Sequence, residues 1–157
     1  MAAAGLPFVL GAAAPPPGTN VAVFPFQLDN TSLQSAQPAE QARLKAITTQ
    51  LRAALAKQGL APVALGDAAA KANAQNITAC GDCDLALAKQ LGATLSAIGW
   101  VQKVSLLILN INVEIRDVAT GRIVAGGSAD IRSDTDESWK RGLAFLVQNT
   151  LLPELAK

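Results

Sequence analysis

Between Leu91 and Trp139 the chain carries β-type patterning that leaves few folds open. Leu107, Leu109, Ile111, Val113 and Ile115 alternate with Asn110, Asn112, Glu114 and Arg116, the period-two pattern of a strand with one buried face. Asp117-Val-Ala-Thr-Gly121 places Asp and Gly where a hairpin connection needs them, and Ile123, Ala125, Gly127, Ala129 and Ile131 resume the alternation. The two segments are expected to pair as an antiparallel hairpin. Small side chains at Ala125, Gly127 and Ala129 leave room on its buried face for a helix to approach closely. Thr94 to Lys103 reads as a further strand upstream. Downstream, a helix capped by Asp134 or Asp136 carries Trp139, Leu143, Leu146, Val147 and Thr150 on one stripe, with Lys140 and Arg141 outside it and Pro153 near its end.

The preceding segments supply the rest of an α/β layer. Val21 to Phe26 is rich in β-formers, and Pro25 marks its end or an edge. Residues 27–39 read as a polar loop. From Glu40, Leu44, Ile47, Leu51, Ala54 and Leu55 follow helical spacing until Gly59. Leu60 to Leu65 is consistent with a second strand, residues 66–79 form an Ala-rich and partly helical connection, and residues 84–91 form a short helix stopped by Gly92. The order predicts an α/β (α+β) fold: a mixed five-stranded sheet with a C-terminal antiparallel hairpin and about three helices.

The chain has 157 residues, enough for one domain of ordinary size. Residues 1–19 read as a leader and linker, because Met1 to Ala14 resembles the apolar part and small-residue cleavage site of a secretory signal, and Pro15 to Gly18 follows it. The domain is then expected over residues 20–157. No stretch of about 20 apolar residues suits a transmembrane helix. Thirteen basic and twelve acidic side chains are interleaved, which argues against nucleic acid or an anionic membrane as an electrostatic partner. No His and no Tyr are present, which removes the usual general base and the commonest metal ligand. The serines at 96, 105, 128 and 138 therefore lack a histidine base partner, and Gly126-Gly127, inside a strand pattern, is no phosphate loop.

Several blocks resemble known proteins: Val21-Ala-Val-Phe-Pro-Phe26, Leu87-Ala-Lys-Gln-Leu-Gly-Ala93, Ile98-Gly-Trp-Val-Gln-Lys103 and Val113-Glu-Ile-Arg-Asp-Val-Ala-Thr-Gly121. With them the chain resembles the N-terminal domain of TolB and the core of CsgG. It also resembles a family of secreted bacterial proteins sharing the Trp-Val-Gln-Lys, Asp-Val-Ala-Thr-Gly and Thr-Asp-Glu-Ser-Trp blocks. The resemblance covers roughly residues 20 to 150 and implies a periplasmic or secreted protein that works through contacts with another envelope protein. It implies no cofactor. Propeller repeats, a lipidated N-terminal Cys and pore-forming segments are not visible, so those functions do not transfer.

Three groups of residues can bear chemistry. Cys80-Gly-Asp-Cys83 has the spacing of redox dithiols, but it follows a polar connection instead of a central strand, so a local disulfide at a helix start is the plainer reading. Asp130, Asp134, Asp136 and Glu137 cluster at the last strand-to-helix junction; a hard cation can be held by such oxygens, though capping needs only acids there. Trp100 with Gln102, Lys103, Asn110 and Asn112 forms a candidate ligand or partner face, against the simpler reading of packing residues beside a solvated strand surface. The function that emerges is a non-enzymatic periplasmic binding or assembly module. Its alternatives are a thiol-redox accessory using Cys80 and Cys83, and a small-ligand or metal-binding accessory of a periplasmic enzyme system.

Overall fold

The computed structural model describes residues 14–157, and its centre is a long antiparallel meander. Strands β4 (Leu95–Lys103), β5 (Leu109–Asp117) and β6 (Ile123–Ile131) pair in register along almost their whole lengths. The expected hairpin is present, and Asp117 and Gly121 close it through the Gly121 N–H to Asp117 carbonyl bond. The remaining strands join on the other side of β4. They are β1 (Asn20–Val23), β2 (Gln27–Asn30) and β3 (Ala61–Pro62); β1 and β2 each run parallel to β4, and β3 runs parallel to β1. The order is β3-β1-β4-β5-β6, with β2 pairing the far half of β4.

The sheet thus has six strands where five were expected. The additional one, β2, falls in the segment read as a polar loop; Gln-Leu-Asp-Asn has too few apolar positions to announce a strand, and only pairing with β4 makes it one. The strand expected over 60–65 contracts to Ala61–Pro62. Leu107, read as part of the β5 alternation, lies outside it in the exposed turn 104–108. A bulge between Ile115 and Arg116 shifts the pairing of β6, and Ile123 at its outer end is left exposed.

Helices cover both faces of the sheet. On one side α1 (Pro38–Lys57) and α4 (Asp136–Leu146) bury Leu44, Ile47, Leu51, Leu55, Trp139, Leu143 and Leu146 against the odd-numbered residues of β4, β5 and β6. The close approach anticipated over Ala125, Gly127 and Ala129 occurs there: a Cβ at Gly127 would lie 2.8 Å from Thr150 Cγ2. A π-helical turn at Val147–Leu151 continues α4 into α5 (Leu152–Leu155) and accommodates Pro153, whose missing N–H would break a regular helix. On the other side α2 (Asp67–Asn73) and α3 (Cys83–Gln90) pack Ala68, Ala72, Leu87 and Ala88 over Ala22, Phe24 and Ile98. This second layer meets the polar face of β5 only at Arg116, and Asn110, Asn112 and Glu114 stay partly exposed. The leader reading falls largely on residues 1–13, which lie outside the described residues.

Candidate functional site

The open end of the second layer creates a groove along β2. In a parallel pair, alternate residues of a strand bond to the same neighbour. The pairing with β4 shifts by one residue between β1 and β2, and in the β2 register Thr31 donates to the Lys103 carbonyl of β4, whereas the Phe26 N–H turns outward to Thr48 Oγ1 at 3.0 Å. By that alternation the N–H and C=O of Leu28 face away from β4, along an edge that no strand among the described residues covers. The groove there measures about 1040 Å³ and is floored by Phe26, Leu28 and Trp100.

Its walls are held by specific bonds. One wall is α1, presenting Gln41, Lys45, Thr48 and Thr49; Thr48 Oγ1 donates to the Leu44 carbonyl while accepting from Phe26, which fixes the helix to the start of β2. The opposite wall is the 73–78 segment, and Gln27 clamps it. The Gln27 Nε2 donates to the carbonyls of Ala72 and Gln75 at 3.0 and 2.8 Å, and its Oε1 accepts from the Ile77 N–H at 2.9 Å. The floor depends on Gly99, because a Cβ there would lie 2.3 Å from the Phe26 ring. Gln27, Thr48 and Gly99 carried no signal in the sequence: each works through a partner at least 22 positions away.

Of the candidate face, Trp100 alone lines this groove. Gln102, Asn110 and Asn112 sit on the same side of the sheet and bond to one another, Asn110 Nδ2 donating to Gln102 Oε1 at 3.3 Å and Asn112 Nδ2 to Asn110 Oδ1 at 2.6 Å. Lys103 is not on this face. Neighbouring residues of a strand point to opposite sides, so a residue next to Gln102 must enter the other layer. There Lys103 is fully buried and its Nζ donates to Glu40 Oε1.

The buried charges under α1 form one connected group. Glu40 also accepts from the Gln37 N–H at 2.8 Å, closing the first turn of α1. Burial pushes the Glu40 carboxyl upward, but hydrogen bonds from Lys103, Asp134 and Gln37 outweigh it and hold the group below its ordinary value. Asp134 moves the other way: burial and the adjacent Glu40 raise it, against Arg43 and Trp139. Its Oδ1 accepts from Trp139 Nε1 and Arg43 Nη1, both at 3.0 Å. Arg43 Nε also donates to Asp136 Oδ1 at 2.7 Å.

The four acids of the last junction are therefore divided. Asp134 is in the buried group, Asp136 pairs with Arg43 on the surface, Glu137 pairs with Arg141, and Asp130 stands exposed on β6. No group of three His, Cys, Asp or Glu among the described residues has the geometry to hold a metal ion. The cap of α4 is neither Asp134 nor Asp136 but Thr135, whose hydroxyl accepts from the Ser138 N–H at 3.2 Å.

Cys80 and Cys83 are joined in a disulfide, with Cα atoms 5.6 Å apart. Gly81 and Asp82 between them both take left-handed backbone conformations, at φ +67° and +62°. Arg116 ties this loop to the sheet, donating from Nη1 to Asp82 Oδ1 at 2.8 Å and from Nη2 to Asp84 Oδ1. Asp84 is fully buried and accepts from Ser96 Oγ at 2.7 Å. Arg116, read as part of a solvated face, is thus the anchor of the disulfide loop.

The fold and site define an α/β domain with a groove that runs beside a free strand edge. The chain belongs to the DUF3280 family, described as Protein of unknown function (DUF2380), which it matches over residues 19–151. No curated protein matches it by sequence. Among solved structures it is similar to the C-terminal domain of LpoB from Escherichia coli, at 18% identity and a TM-score of 0.52, covering 79% of this chain and 90% of that one. It is similar also to lipoprotein GNA1162 from Neisseria meningitidis, at 15% identity and 0.51, covering 85% and 93%. The hypothetical protein CT253 from Chlamydia trachomatis matches at 14% and 0.55, covering 84% and 95%. At such identities the likeness establishes the fold. The TolB and CsgG likeness drawn from the sequence blocks is not shown by these comparisons.

Proposed function

We propose that the chain is a non-enzymatic binding module of the bacterial envelope that takes an extended segment of a partner protein along β2. The observation that carries this reading is the uncovered edge at Leu28, set in a groove with an apolar floor and amide- and hydroxyl-bearing walls. An added strand would gain main-chain hydrogen bonds from that edge, and its alternate side chains would meet Phe26 and Trp100 on one side of the sheet plane or the other. Envelope placement is supported by the signal-like first fourteen residues, by a disulfide, which persists in oxidising compartments, and by a fold shared with a neisserial lipoprotein. No helix among the described residues is long and apolar enough to cross a membrane. In this reading the Cys80–Cys83 bond is a staple for the loop that Arg116 anchors.

The test is affinity capture from a periplasmic extract with wild-type protein, Thr49→Trp and Lys89→Glu. Thr49 is an exposed groove-wall residue whose enlargement obstructs the channel, and Lys89 lies on α3 outside it. Loss of a specific partner with Thr49→Trp but not Lys89→Glu supports the reading. Equal capture by all three chains refutes the groove as the docking site.

A further inference from the structure

Five large apolar side chains stand in solvent at one end of the sheet. Val104, Leu106, Leu107 and Ile108 form the turn between β4 and β5 and are 45%, 43%, 68% and 56% exposed, and Leu33 on the loop after β2 is fully exposed. The two loops are held side by side, because Thr31 donates from both its N–H and its Oγ1 to the Lys103 carbonyl. Such a cluster is unfavourable in water and marks a surface that is covered in use.

The backbone of the turn indicates by what. The N–H groups of Val104 and Ser105 donate to the Ile108 carbonyl, those of Leu107 and Ile108 donate to Ser105 Oγ, and the Leu106 carbonyl accepts from the Asp134 N–H. Four of the five N–H groups of the turn are thus bonded within it, and the Leu106 and Ile108 carbonyls are engaged by the protein's own N–H groups. Bonding its N–H groups internally lowers the cost of moving the turn out of bulk water, and at interfacial depth its remaining carbonyls can keep water. The sequence Val-Ser-Leu-Leu-Ile contains no charge. Beside it Arg132 is exposed, directly after Ile131, the register partner of Leu109, which places a guanidinium at the base of the turn where lipid phosphates would lie. The acids nearest in sequence to Arg132 are Asp130, exposed on β6, and Asp134, which is engaged by Arg43 and Trp139.

We propose that the turn 104–108, together with Leu33, inserts into the interfacial layer of a phospholipid bilayer and seats this end of the sheet on a membrane surface. The mounting is rigid: Lys103, at the foot of the turn, is locked to Glu40, and the Asp134 that belongs to the same buried group holds Leu106. The proposal is independent of what occupies the groove.

The test is co-sedimentation of the full chain with sonicated vesicles of phosphatidylethanolamine and phosphatidylglycerol, comparing wild type with Leu107→Ser/Ile108→Ser. Residues 1–13 are themselves largely apolar, so the two chains are kept identical outside the turn. Partitioning is expected to fall roughly tenfold to a hundredfold in the variant, from the loss of two inserted apolar side chains, with thermal stability unchanged because both sites are exposed. Equal sedimentation of both chains, or no sedimentation of either, overturns the proposal. So does a lipid-free, concentration-dependent oligomer that the variant abolishes, since a second copy of the chain would then be the cover.

Discussion

Replacing Lys103 by Met tests the buried charge group directly. Lys103 and Glu40 are both fully buried, and among the described residues the ammonium is the only cation donating to Glu40. Lys103→Met keeps the length of the side chain but leaves a carboxylate in the core with the Gln37 N–H and Asp134 as its neighbours. Removing one partner of a buried ion pair costs about 3–5 kcal/mol, most of it the penalty of the charge left behind. For a chain of this size that corresponds to a fall in Tm of about 6–20 °C. Glu40→Gln alone should cost a similar amount, because it strands the ammonium. Combining the two removes both charges while the amide carbonyl introduced by Glu40→Gln still accepts from the Gln37 N–H, so the double variant should recover to within about 2 kcal/mol of wild type. Urea unfolding of the four proteins at pH 7, followed by Trp fluorescence, gives the cycle. Single variants that lose less than about 1 kcal/mol, or losses that simply add in the double variant, would refute the claim that this pair is desolvated and mutually dependent.

The raised carboxyl of Asp134 makes a pH prediction. Its native state holds a proton above the ordinary value of 3.8, so it contributes stability at low pH that is lost as pH rises through the native value. The stability margin of wild type over Asp134→Asn should therefore shrink as pH rises from below 3.8 toward neutral; a margin that grows over that range contradicts the assignment. Gly99→Ala should cost about 1–3 kcal/mol by forcing the Phe26 ring out of place, read by thermal melting, and should also weaken capture through the groove. Cys80→Ser/Cys83→Ser should lose about 2 kcal/mol, the chain-entropy value for so short a loop, without abolishing folding. Measurable dithiol–disulfide turnover of insulin by the wild type would instead favour redox work. Arg116→Gln should cost about 3 kcal/mol in urea unfolding, because among the described residues it leaves the buried Asp84 with only the Ser96 hydroxyl.

Local pattern made the meander and the two long helices legible. The alternation through β5 and β6, the stripe of α1 and the Trp139–Leu146 stripe of α4 each repeat a period that only one element type can use. Strand β2 was not legible, because four mostly polar residues become a strand only when β4 lies beside them. The site suffered for the same reason. Trp100 was recognisable as an aromatic beside a polar surface, but Gln27, Thr48 and the 73–78 wall that make a groove of it are joined to it only in space. Lys103 is a different kind of miss: strand parity was available from the sequence and places it opposite Gln102.

Residue order alone is enough for an α/β layer with a C-terminal hairpin, a chain without histidine chemistry, and a Cys pair close enough to bridge. Which charges are buried, and which strand edge stays free, follows only from contacts in three dimensions. Periodicity sorts residues by face and carries no information on what covers that face. A lysine read as part of a ligand or partner face can therefore lie in the core against a glutamate sixty-three positions away, while a loop read as mere connection becomes the rim of the groove.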